Sequence, residues 1–115
     1  MLWASLLAKS IFCVDDSFDS WWYHLPFAAR LVGICSAEHY QMCDWLESCY
    51  QGFPLLVEFL QGAFWRLTGR PESANLVSCL SLLLLTVVAA RQLRVPVLLP
   101  TLCFLSVPLV QIHAT

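Results

Sequence analysis

The chain has 115 residues, of which 59% are hydrophobic and only 12% charged. Soluble domains run at roughly 45–50% and about 25%, so this composition, with a mean hydropathy of +0.70, predicts an integral membrane protein of one domain. The net charge of −2 comes without any basic stripe, which excludes nucleic acid as a partner.

Residues 1–14, MLWASLLAKSIFCV, are apolar with one lysine. A bilayer span takes about 20 residues, so this segment is too short to cross. A signal peptide is one reading, but the lysine is mid-segment and no A-x-A site follows. The tail of a longer first transmembrane helix fits better, and the chain is then a fragment of a longer protein.

Over 18–32, Phe18, Trp21, Trp22, Leu25, Ala28, Ala29 and Val32 recur at helical spacing. They predict an amphipathic helix with an aromatic belt, lying along the membrane–water interface. Pro26 predicts a kink or a helix start, and Gly33 a stop. Residues 34–52 are the most polar part and read as a loop with one short helix near 43–50. A second amphipathic helix is expected over 52–69. Its apolar stripe is Leu55, Leu56, Phe59, Leu60, Ala63, Phe64 and Leu67, and Gly69 and Pro71 end it. Residues 74–90 and 95–112 read as two membrane spans, the second carrying Pro96, Pro100 and Pro108. Arg91 and Arg94 mark the turn between them as cytoplasmic. Residues 15–73 then form an extracytoplasmic loop. The expected fold is an all-α membrane protein: a partial first transmembrane helix, a loop with two interfacial helices, and two transmembrane helices.

Six cysteines are present. Cys79 and Cys103 lie in apolar runs and read as packing residues. Cys35, Cys43 and Cys49 lie in the polar middle. Two of them can pair in an oxidising compartment, or all three stay free thiols. No zinc-ligand spacing occurs.

Three acids, Asp15, Asp16 and Asp19, cluster after the first apolar segment. Such carboxylates bind a divalent metal or act as a general base. For Asp15 and Asp16, helix capping is the stronger reading, with Asp16 or Ser17 as an ordinary N-cap. For Asp19 the chemical reading leads. On a continuous helix it shares a face with Tyr23 and Arg30, a set suited to a sugar–phosphate ligand because Arg binds phosphate bidentately. Snorkelling to lipid headgroups accounts for Arg30 as readily. His24 reads first as a hydrogen-bonded structural residue. Glu58 is either a solvated face residue or a second acid in the same cavity. His39 and His113 read as structural, and Trp21, Trp22 and Trp65 as interface anchors.

The run D-S-W-W-Y-H-L-P-F-A-A-R-L at 19–31 resembles bacterial GT-C membrane glycosyltransferases, relatives of the protein O-mannosyltransferases and aminoarabinose transferases. Asp19, Tyr23, His24 and Pro26 carry the likeness. The later run G-F-P-L-L-V-E-F-L-Q-G at 52–62 is similar to that family's second amphipathic helix, with Pro54 and Glu58 at matching places. The likeness covers nearly the whole chain but only the family's N-terminal part. It implies sugar transfer from a polyprenyl-phosphate donor at the outer face of a bacterial inner membrane. An extracytoplasmic aspartate would be the base, Asp19 by motif register, Asp16 or Asp15 by position at the junction. A divalent metal, Mg or Mn, held by Asp19 and Asp16 is implied for some relatives. Arg30 or Arg66 would face the lipid phosphate, beside Tyr23, His24 and Glu58. A small non-enzymatic membrane scaffold or assembly subunit is the competing reading.

Overall fold

The computed structural model describes residues 2–13, 17–36 and 38–107. These are helical or irregular, with no strand among them. In chain order they form α1 (Leu2–Phe12), a π-helical turn (Ser20–His24), α2 (Leu25–Leu31), α3 (Asp44–Gly52), α4 (Leu56–Thr68), a 3-10 turn (Pro71–Asn75), α5 (Leu76–Leu93) and α6 (Leu98–Leu105).

The expected first amphipathic helix is continuous over 18–31, with a π-helical turn set into it just before Pro26. Pro26 has no N–H to give a carbonyl one α-turn back. The chain widens before it: the Leu25 N–H reaches the Ser20 carbonyl, five residues back, and Pro26 sits in the first turn of α2. The Ser20 N–H donates to Ser17 Oγ at 3.4 Å, so Ser17 takes a capping role and Asp19 makes no cap bond. Gly33, at φ 71°, ends α2. The Ile34 N–H donates to Ala29 O at 2.8 Å and the Gly33 N–H to Arg30 O at 3.2 Å, the paired bonds of a left-handed helix stop.

Helix α2 packs on α4. Phe27 and Ala28 are fully buried and Ala29 nearly so. Burying a phenylalanine contributes about 1.5–3 kcal/mol. The two helices approach closely because position 62 is glycine. A Cβ there would lie 2.5 Å from the Ala28 carbonyl oxygen and 2.8 Å from Val32 Cγ1. Helix α4 starts at Leu56, two residues past Pro54, and ends at Gly69 with φ 71°. At the following corner Thr68 Oγ1 and Ser73 Oγ lie 2.7 Å apart, and Ser73 Oγ donates to Arg70 O.

The 3-10 turn and α5 together run from Pro71 to Leu93, the one stretch among the described residues long and apolar enough to cross a membrane. The helix expected at 74–90 is therefore present and is longer at both ends. Helix α5 alone is about 27 Å long at 1.5 Å per residue. Its buried Thr86 hydroxyl donates to Leu82 O at 2.7 Å, which satisfies a polar group inside an apolar helix. Arg91 lies within α5, and Arg94 forms its left-handed end at φ 55°. The span expected over 95–112 is not one helix among the described residues. Helix α6 has eight residues and stops at Ser106, about 12 Å and too short to cross; 108–112 lies outside the described residues. Helix α1, eleven residues long, packs on the 3-10 turn and α5. Asn75 Nδ2 ties that turn to the Cys13 carbonyl at 3.1 Å.

Candidate functional site

The site lies where the π turn and α2 meet α4. His24 Nδ1 is 2.8 Å from Glu58 Oε1. Glu58 is only 7% exposed, so it is neither solvated nor free. This bond joins the two segments that carry the family resemblance. The Tyr23 ring lies against His24, centroids 4.2 Å apart. Burial pushes the Tyr23 hydroxyl above its ordinary pKa, and the charges of Asp19 and Glu58 add to the shift. Tyr23 is therefore a protonated donor at neutral pH.

Asp19 is exposed on the first turn and acts on Tyr23 electrostatically. Arg30 does not join them. The expected single face of Asp19, Tyr23 and Arg30 is broken, because the π turn shifts the helical phase between its first two members and the third. Arg30 turns instead to α3. Its Nη1 donates to Glu47 Oε2 at 2.5 Å, and its guanidinium lies 4.8 Å above the Tyr50 ring. The Glu47 carboxyl is held below its usual range, chiefly by that hydrogen bond, and the bond likewise raises Arg30. Arg66 donates to the Val32 carbonyl at the end of α2. Both arginines considered for a phosphate thus have protein partners.

A groove of about 400 Å³ opens beside this cluster. Trp21, Leu25, Pro26, Ala29, Trp65 and Pro71 make most of its lining, with Cys35, Ser36 and Tyr40. The lining is mostly apolar, and its charged side chain is Arg30, 20% exposed. On the other side of Leu25 lies a cavity of about 10 Å³ between Ser20, His24, Gln61, Glu72 and Asn75, large enough for a single water. Gln61 Oε1 and Glu72 Oε2 are buried there and accept no hydrogen bond; Glu72 Oε2 has only a loose ion pair with Arg70 Nε at 3.5 Å.

Asp15, Asp16 and His113 lie outside the described residues. Among those described, no three His, Cys, Asp or Glu side chains gather into a metal-binding group. The metal expected at Asp19 and Asp16 involves a residue outside the described ones. Cys35, Cys43 and Cys49 are unbonded thiols here. His39 holds Ser36 Oγ at 2.6 Å, in line with a structural role. Glu47, Tyr50, Gln61 and Glu72 were not singled out by the sequence. Glu47 and Tyr50 fall in the short helix expected near 43–50, and their three-residue spacing was the available signal.

Comparison with known proteins finds no matching family model, no similar curated protein and no similar solved structure.

Proposed function

We propose that this chain is the N-terminal part of a GT-C-type membrane glycosyltransferase, which moves a sugar from a polyprenyl-phosphate donor to an extracytoplasmic acceptor. The observation that carries the reading is the His24–Glu58 bond of 2.8 Å. It draws the Asp19–Pro26 run and the Pro54–Glu58 run, the two parts of the resemblance, onto one site. The groove supports it further: an apolar channel with one guanidinium in its wall suits an isoprenoid chain ending in a phosphate.

In this reading the Asp19 carboxylate takes the proton of the acceptor hydroxyl. The oxygen bonds to the anomeric carbon, the bond from that carbon to the phosphate oxygen breaks, and the polyprenyl phosphate leaves. Tyr23 donates a hydrogen bond to sugar or phosphate, and His24 is fixed by Glu58 beside it. Helix α5 crosses the bilayer with its Arg91–Arg94 end in the cytoplasm. The π turn, α2 and α4 rest on the outer surface, where the exposed Leu56, Val57, Phe59 and Leu60 enter the lipid boundary. The membrane is a bacterial inner membrane.

The test is transfer of a labelled sugar from a polyprenyl-phosphate donor by the full-length gene product in proteoliposomes. Asp19→Asn should lower the rate roughly 10²–10⁴-fold, the range for losing a general base, with membrane insertion intact. Asp15→Asn and Asp16→Asn should do less. A dead Asp16→Asn beside an active Asp19→Asn would move the base to the junction. Full activity in all three variants would end the catalytic reading of this segment.

A further inference from the structure

Arg30 is the one cation lining the groove, yet its donor edge is turned to Glu47, 2.5 Å away. Helix α3, which supplies Glu47, meets α2 through the Tyr50 ring, edge-on to Phe27 at 5.3 Å, and through Arg30, which contacts both Glu47 and the Tyr50 face; Leu46 of α3 is buried. Glu47 is one-third exposed, so water can replace Arg30 around it at small cost. A carboxylate that takes one guanidinium nitrogen and also has Gln51 as a hydrogen-bond partner is a modest and replaceable partner for a group with five donors. A phosphate has three acceptor oxygens and more charge, and it matches the guanidinium fork.

We propose that Glu47 is an internal competitor for the groove's anionic ligand: it occupies the Arg30 donor edge until the phosphate of an isoprenoid phosphate displaces it and loosens α3. This rests on reading the groove as a lipid-phosphate site. The chain of the ligand lies along Trp21, Pro26 and Trp65, and its phosphate reaches Arg30. The displaced carboxylate turns to water. Affinity is thereby lowered by the strength of the Arg30–Glu47 pair, and occupancy of the groove is coupled to the attachment of α3.

The experiment is a titration of the full-length protein in detergent with farnesyl phosphate, farnesol and inorganic phosphate, followed by tryptophan fluorescence, since Trp21 and Trp65 line the groove. Glu47→Gln should bind farnesyl phosphate roughly two- to fivefold tighter than wild type, the scale of a partly exposed ion pair. Farnesol affinity should not change. Arg30→Gln should bind farnesyl phosphate no better than farnesol. Circular dichroism confirms that each variant is folded, and Glu47→Ala repeats the test without a residual amide contact. Equal farnesyl phosphate affinity in wild type, Glu47→Gln and Glu47→Ala overturns the competition and leaves the lipid-phosphate reading standing. An equal gain for farnesol overturns it too, because the groove has then merely widened. Inorganic phosphate binding as tightly as farnesyl phosphate makes this a free-anion site and overturns the lipid arm. No binding of farnesyl phosphate by any variant overturns the lipid-phosphate reading and this inference with it.

Discussion

Two helical regions of similar apolar character are organised in opposite ways. At the α2–α4 crossing, Leu25, Phe27, Ala28 and Ala29 are buried, and His24 is paired with Glu58 and Arg66 with the Val32 carbonyl, although Gln61 Oε1 stays unpaired. Along α5, Leu80, Leu83, Leu84, Leu85 and Val88 are all exposed. Of its five buried residues, Cys79, Leu82, Thr86 and Ala90 form one narrow stripe, and Val77 is buried at the first turn. The crossing makes its own apolar interior. Helix α5 has an apolar surface left over, which lipid or further helices must cover. Similar composition thus yields a close helix crossing in one place and a largely uncovered apolar face in the other, while α4 keeps exposed apolar residues on its outer side as well; the crossing is set apart by Gly62 and by polar pairing.

The largest effect that could break this contrast is a charge on the outward face of α5. Leu84→Arg should oppose membrane integration by about 2.5–3.5 kcal/mol, the cost of arginine near a span's centre. Carbonate extraction of the expressed protein measures it. Unchanged integration would mean that α5 does not face lipid.

Gly62→Ala comes next and acts only on the packed region. The added carbon would meet backbone, the Ala28 carbonyl at 2.5 Å, which cannot swing aside as a side chain would. Overpacking of this kind costs typically 1–3 kcal/mol. A thermal melt in detergent should show the loss, and Gly52→Ala, where the new carbon meets nothing within 4 Å, should not. Equal melts for the two variants would remove the close approach as the basis of the crossing.

Gly62 also shows where sequence reasoning stops. In the sequence it is a weak spot inside an apolar stripe, and only the neighbouring helix reveals it as the contact point. The runs that needed no partner were readable. The long helix expected at 74–90 follows from its apolar run, α4 from its stripe, and the end of α2 from Gly33. The irregularity at Pro26 was legible, but its form as a π turn was not, and Arg30 meets Glu47 and Tyr50 rather than Asp19 and Tyr23. His24 and Glu58 could each be named, with the likeness placing both in one site. Their bond depends on how two helices 34 residues apart cross, which no local pattern encodes. The three prolines of the last segment were legible as a hazard to a span; Pro100 nonetheless lies inside α6, which ends at Leu105.

The smallest expected effect concerns the edge of the packed region, where α3 is attached. Arg30 holds the Glu47 carboxyl below its usual value of 4.5, by a hydrogen bond first and by charge second, against a desolvation that works the other way. A carboxyl whose pKa is lower folded than unfolded binds fewer protons in the folded state. Its contribution is therefore present above the unfolded value and lost as the pH falls through the folded one. Wild type should be more stable to urea than Glu47→Gln at pH 7 and at pH 5. The gap should close as the pH drops below 4.5 and through the depressed value, because protonated Glu47 then resembles the amide. Salt should narrow the gap at pH 7, since the pair is partly exposed and screened. A gap that is the same at every pH would show that Glu47 stabilises α3 by packing alone. A gap that widens in acid would reverse the sign and remove Arg30 as its partner.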